Sequence, residues 1–287
     1  MVIALYLLAV LFSVTQSAAT KLFNRQASES SVFNAVKASS ALLLFALMAV
    51  FDFAFHLPTL AFGCLYGLSL CVSMYAGYRA LCLGPMALTG MLVSFSVVMP
   101  LVWGVAVLGE NFGILRGIGL IFLLLALLFT NADRLVKHTA REEKDGYGKW
   151  LLFVALTFAC NGLCSILQKQ HQTLYPAAYG EEFMLFAMLF CALVFTAFAL
   201  RKIGIRGFFA VKGKRFGALS GLANGLSNFL LLLLAGMENA SVLFPVISAG
   251  MVLASLVCGR ILFAERLKKN HYLAILFGIA SVVLFKL

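Results

Sequence analysis

Three apolar stretches of the chain carry carboxamides and hydroxyls at helical spacing. LSGLANGLSNF, residues 219–229, holds Asn224, Ser227 and Asn228. Asn161, Ser165 and Lys169 recur at i, i+4 and i+8, as do Ser13, Ser17 and Lys21 near the start, and that spacing sets each trio on one helical face. Ser73 and Tyr75, with Ser69 and Tyr66, add weaker candidates further along. Amides and hydroxyls exchange hydrogen bonds with neutral or zwitterionic groups. In an apolar setting they need partners, because an unpaired buried polar group costs several kcal/mol. A neighbouring helix or a bound solute supplies the partner, and two amides with an offset serine on one stretch favour the solute.

Other chemistry is missing. The seven cysteines form no CxxC pair, and the four histidines form no HExxH pattern. No nucleophile and base share a common depth. Asp52, Glu110, Glu181, Glu182, Glu238 and Glu265 all fall near the ends of apolar runs. The expectation is therefore no enzyme, no cofactor and no metal. A site for a desolvated organic cation would supply a carboxylate at depth, and none is placed there.

The elements that carry these residues follow from composition. Of 287 residues, 63% are hydrophobic and 11% charged, with a mean hydropathy of +1.01. So little polar surface cannot cover a water-soluble core, and the bilayer is read as the solvent. About 20 helical residues cross a hydrocarbon layer. Apolar windows of that order fall at 2–22, 33–53, 57–79, 85–108, 112–131, 150–169, 182–200, 216–236, 241–263 and 271–286. The fold class read from them is all-α integral membrane, with ten transmembrane helices.

The net charge of +11 is unevenly spread. Nineteen of the 22 lysines and arginines follow odd-numbered spans, leaving Arg116, Lys169 and Lys286 on the other side. Short basic loops mark the cytoplasmic face, so both termini are expected outside. The same distribution argues for a lipid partner and against nucleic acid. Lysines near span ends, Lys21 and Lys169 among them, are read as snorkelling to the interface.

The chain also overlays on itself. At an offset of 155, GVAVLGE (104–110) meets GRILFAE (259–265), so that Gly104 falls on Gly259 and Glu110 on Glu265. At 148, Ser13 falls on Asn161, Ser17 on Ser165 and Lys21 on Lys169. At 154, Gly63 and Gly67 fall on Gly217 and Gly221, and Ser73 on Ser227. Two halves of five spans each would enter the membrane in opposite senses, as inverted repeats. The glutamates read as duplicated helix ends where a span meets water, with Arg260 snorkelling to the same interface. The glycines, four apart, read as small-xxx-small crossing points. Pro100 and Pro245 read as bends.

On these residues the chain resembles the drug/metabolite transporter superfamily, in its ten-helix EamA-like branch. GPMALTGMLVSFSVVMPLVWGVAVLGE (84–110) and NASVLFPVISAGMVLASLVCGRILFAERL (239–267) are similar to that family's fourth and ninth helices. The resemblance implies a first EamA-like repeat at 1–132, a basic connecting loop at 133–149 and a second repeat at 150–287. It implies an alternating-access secondary transporter of a small metabolite, placed in a bacterial cytoplasmic (inner) membrane. Spans 5 and 10 are left for packing or for contact in a homodimer. The small multidrug exporters of the superfamily carry a glutamate within their first helix, and this first span has none. With the amides, that favours a small neutral or zwitterionic solute, an amino acid being one such class. The expected site is Asn224, Asn228, Ser227, Asn161, Ser165, Ser13, Ser17, Ser73 and Tyr75. The alternatives are a small multidrug-type exporter of organic cations and a membrane protein that transports nothing.

Overall fold

A computed structural model describes residues 2–24, 26, 29–50, 53–83, 86–136, 147–263 and 268–287. Among these the regular structure is helical and no strand occurs. The helices are α1 (Val2–Asn24), α2 (Ser30–Ala49), α3 (Leu57–Leu83), α4 (Met86–Ser94), α5 (Val98–Ala106), α6 (Ile114–Val136), α7 (Tyr147–Leu174), α8 (Gly180–Ala210), α9 (Lys214–Met237), α10 (Ala240–Phe263) and α11 (Lys269–Lys286). Asp52 and Glu265 lie outside the described residues, as does the connecting stretch 137–146. The helices flanking that stretch run further than hydropathy alone suggests, to Val136 and from Tyr147.

Eight helical segments are long and apolar enough to cross a membrane, counting α4 and α5 with the turn between them as one (Leu88–Ala106). This is the architecture of a multi-pass α-helical membrane protein. Large apolar side chains such as Ile3, Leu43, Leu152, Leu193 and Ile261 stand exposed. In water such faces would drive aggregation, whereas lipid is their natural neighbour. α6 has its apolar part at Ile114–Thr130, and α11 begins with the polar turn Lys269, Asn270 and His271.

The two prolines behave differently. Between α4 and α5 a 3-10 turn, Phe95–Val97, precedes Pro100. A proline has no N–H and its ring crowds the carbonyl four residues back, here Ser96 within that turn, so the helix tightens there. α10 continues unbroken through Pro245, which sits near its start. α8 runs through a kink at Gly204, whose φ of 68° and ψ of 171° suit a residue without Cβ.

The chain divides into two compact units, each drawing on both sequence halves. The first comprises Met1–Cys71 and Gln170–Gly236. In it the glycine stripes are helix crossings: a Cβ on Gly63 would stand 2.8 Å from Phe186 Cβ and 2.9 Å from the Phe183 carbonyl of α8. On α9, a Cβ at Gly221 would strike the Lys37 carbonyl of α2, and one at Gly225 would come 2.9 Å from Leu44. Val32, Ala35 and Ala199 close the α2–α8 contact with small side chains. The second unit comprises Val72–Lys169 and Met237–Leu287. There Phe277 of α11 stacks on Phe129 of α6 at 5.6 Å, and Ser281 Oγ donates to the Gly119 carbonyl at 2.9 Å. Trp150 of α7, 2% exposed, donates through Nε1 to Thr89 of α4 at 2.9 Å.

These crossings set a stability test. Gly63→Ala and Gly221→Ala must each push backbone from backbone and are expected to lower unfolding stability by about 1–3 kcal/mol. Gly90→Ala on α4, with nothing within 4 Å of its Cβ, is expected to be neutral or to stabilise by up to ~1 kcal/mol. Thermal unfolding in one detergent ranks all three, and equal losses would remove the crossing role.

Candidate functional site

In the first unit, α1 and α9 meet along a ladder of polar side chains. Ser13 and Ser227 are both buried, with oxygens 2.6 Å apart. Ser227 gives its proton to the Ala9 carbonyl at 3.1 Å, so Ser13 is the donor between the two hydroxyls. One turn along, Asn224 Nδ2 donates to Gln16 Oε1 at 3.0 Å. Next, Ser220 Oγ donates to the Gln16 carbonyl at 3.4 Å and lies 3.4 Å from Thr20 Oγ1. Asn228 Nδ2 turns back on the Asn224 carbonyl at 2.9 Å, and its Oδ1 accepts from Tyr66 of α3 at 3.1 Å. A 3.6-residue period brings one such group to the seam per turn, which is why Gln16, Ser13, Asn224 and Ser227 share it. Ser17 is exposed, its hydroxyl returned to the Ser13 carbonyl at 3.0 Å.

Most of the ladder is satisfied from within the protein. Asn224 Oδ1 and Gln16 Nε2 are the exceptions: among the described residues neither has a hydrogen-bond partner, and neither is a fully enclosed atom. One carbonyl acceptor and one primary-amide donor therefore stand side by side with capacity unused.

In the second unit, Ser73 of α3 donates to Asn161 Oδ1 of α7 at 2.7 Å. The Asn161 amide nitrogen retains its donors, and Ser165, one turn on, is half-buried. Tyr75 is 55% exposed on the other side of α3. The expected residues thus fall into two groups: Ser13, Asn224, Ser227 and Asn228 around one helix pair, and Ser73 and Asn161 at another. The residues that the sequence overlays match are bonded crosswise. Ser13 overlays Asn161 and Ser73 overlays Ser227, while the observed bonds are Ser13 to Ser227 and Ser73 to Asn161. Gln16 was not among the expected site residues, and Tyr66 ranked low. Only its place one turn from Ser13 could have recruited Gln16.

Charged groups in the second unit take on a structural task. Glu110, just before α6, accepts the Ala240 N–H at 2.7 Å through Oε1 and the Ser241 N–H at 2.8 Å through Oε2. These donors open α10 and have no carbonyl of their own helix to bond. A carboxylate there is favoured by hydrogen bonding and by the helix dipole. Room for it comes from Gly104, where a Cβ would stand 2.6 Å from Glu110 Oε2. Lys169, read from sequence as snorkelling, is instead buried, donating to the Glu238 carbonyl at 2.7 Å with Glu110 Oε1 at 4.0 Å. Lys286 closes on Glu238 at 2.8 Å. Arg260 stands exposed, and its companion Glu265 lies outside the described residues.

No group of three or more metal-binding side chains occurs among the described residues. No protein-family model matches the chain, and no curated protein matches it. A crystal structure of a protein carrying no further description is similar in fold, with a TM-score of 0.77 over 98% of this chain and 94% of its own, at 14% identity. At that identity the likeness concerns the fold alone.

Glu110→Gln keeps the shape but loses the charge and one acceptor oxygen, and Gly104→Ala crowds the carboxylate out. Each is expected to destabilise the protein by about 1–3 kcal/mol, the usual result of leaving a buried donor unmade. A double-mutant cycle between them, read by thermal unfolding, should be strongly non-additive; simple addition would mean that Gly104 does not act through Glu110.

Proposed function

We propose that the chain is an alternating-access secondary carrier for a small neutral or zwitterionic metabolite, with amino acids as the leading class. The carrying observation is the amide pair Gln16 and Asn224, bonded to each other at 3.0 Å yet retaining one donor group and one acceptor. Such a pair fits a solute that both gives and takes hydrogen bonds. The carboxylates among the described residues, by contrast, stand in loops or at helix ends, and those of Glu110, Glu182 and Glu238 are tied to backbone N–H groups or to a lysine. That leaves little to hold an organic cation.

The ten-span, inverted-repeat reading is supported by the crosswise bonds of Ser13, Ser227, Ser73 and Asn161. It is also supported by matched glycine crossings, α3 on α8 and α9 on α2. On this reading the chain is an EamA-like member of the drug/metabolite transporter superfamily. Its address is a bacterial cytoplasmic membrane with both termini outside, and α6 and α11 serve as its fifth and tenth spans.

Counterflow into proteoliposomes, with a panel of amino acids, sugars, nucleosides and one quaternary ammonium ion, tests the proposal. Saturable exchange of a neutral or zwitterionic solute is expected, and Asn224→Ala should raise its KM about tenfold, one lost hydrogen bond's worth of binding. Exchange confined to the quaternary ammonium ion, or no exchange, would overturn the reading.

A further inference from the structure

Lys37 stands on the third turn of α2, about 10 Å along the helix axis from Ser30. No carboxylate answers it among the described residues. Glu29, the acidic residue just before the helix, is closed on Lys202 of α8 at 2.6 Å. Cys191 of α8 lies within electrostatic reach of Lys37, but it is a thiol, 1% exposed, that donates to the Gly67 carbonyl at 3.5 Å. Asn34 stands one turn before Lys37, and both are half-buried. Neither side chain makes a hydrogen bond among the described residues, and none of their polar atoms is fully enclosed.

These open atoms face the protein and not the lipid. On α2 the exposed residues Ser39, Leu43 and Leu47 mark the lipid side. By the helical period, Asn34 stands about 180° and Lys37 about 120° round the helix from Leu43. The residues flanking this sector pack on other helices: Ala38 joins Cys191 and Ala192 of α8, while Phe33 and Ser40 lie against Gly217 and Gly221 of α9. A lysine that snorkels runs along an apolar surface to the interface. This one is turned inward from a span, where an ionisable group without a partner marks a ligand or ion site.

We infer that Lys37 and Asn34 bind the carboxylate of the transported solute, so that the carrier takes zwitterions in preference to uncharged metabolites. This rests on the transport reading above. An ammonium offers three N–H donors and the Asn34 amide two, while a carboxylate only accepts. Residues three apart on a helix are neighbours, so both sets of donors serve one anion, and bonds to a charged acceptor are the strong ones. The solute ladder adjoins this pair. Gly217, Gly221 and Gly225 of α9 meet Val36, Lys37 and Leu44 of α2 in turn, so the two helices run the same way. Asn224 follows Gly221 by one turn, and its open Oδ1 is an acceptor for the N–H groups of a zwitterion.

Counterflow with the common L-amino acids, sugars and nucleosides is the first test. Each amino acid that exchanges is compared with its carboxamide, which keeps the α-ammonium and side chain and loses the anion. The wild type should prefer the amino acid by about ten- to a hundredfold in KM, as charge-assisted bonds warrant. Lys37→Met should bring that ratio near one and Lys37→Arg should keep it. Asn34→Ala should lower it about tenfold, and serves where Lys37→Met does not fold. A lysine that only snorkels would alter stability and leave the ratio alone. An unchanged ratio in Lys37→Met, or exchange of sugars or nucleosides only, overturns the carboxylate site while the carrier reading stands. Absence of all exchange overturns the carrier reading, and acetate then decides the site. In lipid nanodiscs the ¹⁵Nζ resonance of Lys37, identified by its loss in Lys37→Arg, should shift with sodium acetate and not with equal sodium chloride. A resonance indifferent to acetate overturns the site.

Discussion

A polar group inside an apolar solvent has to find its partner within the protein, and most of this structure follows from that constraint. The outward faces of the helices are largely apolar, and the amides, hydroxyls and charges kept along the spans are turned toward another helix or, as with Thr15 and Ser17, back to a carbonyl of their own. Ser13 reaches Ser227, Ser73 reaches Asn161, Trp150 reaches Thr89 and Ser281 reaches the Gly119 carbonyl. Each bond joins elements far apart in sequence and fixes the depth at which two helices cross. Close approach is then permitted by glycine, at Gly63 and Gly221 above all, where a methyl group would already collide with a neighbour.

The same constraint explains the glycine and glutamate six residues apart. A helix beginning within the protein leaves its first N–H groups without carbonyls. α10 begins at Ala240, and the two N–H groups at its start are taken by Glu110 from a segment 130 residues earlier. The glutamate needs a hollow for its carboxylate, and Gly104 supplies it by having no side chain. Sequence spacing identified the motif and its recurrence. That the charge serves the start of another helix, and not an interface with water, depends on tertiary contact and left no local trace.

What the sequence disclosed was periodic and local. The apolar windows fall mainly on helical segments, one of them on α4 and α5 together, the 3-10 turn before Pro100 follows from a missing N–H, and the glycine stripes lie where helices cross. What it withheld was pairwise and distant. Nothing near Lys169 says that it will donate to the carbonyl of Glu238, so its charge read as a snorkelling end. Nothing near His56 says that it will share Thr59 with His171. Span-end histidines are ordinary in isolation, and only the fold brings this pair to one hydroxyl. Gln16 was passed over for a simpler reason: one polar residue among several at the end of an apolar run carries no mark of the helix it will face.

The two polar groups are not equivalent, and the difference bears on function. At the α3–α7 contact, one hydroxyl meets one amide. At the α1–α9 contact the matching bond is the first rung of a longer ladder that adds Gln16, Thr20, Ser220 and Asn224, with Tyr66 joining through Asn228. Helix packing alone needs no such excess, because a single Ser–Ser bond already joins α1 to α9 and a few small residues suffice for contact. Extra amides in an apolar protein add desolvation that packing does not repay unless their remaining hydrogen-bonding capacity is used. The unused atoms, Asn224 Oδ1 and Gln16 Nε2, lie on the pair of helices where this excess is concentrated. A solute that hydrogen-bonds to both accounts for the excess in a way that helix packing does not, and it places the specificity of the proposed carrier on α1 and α9.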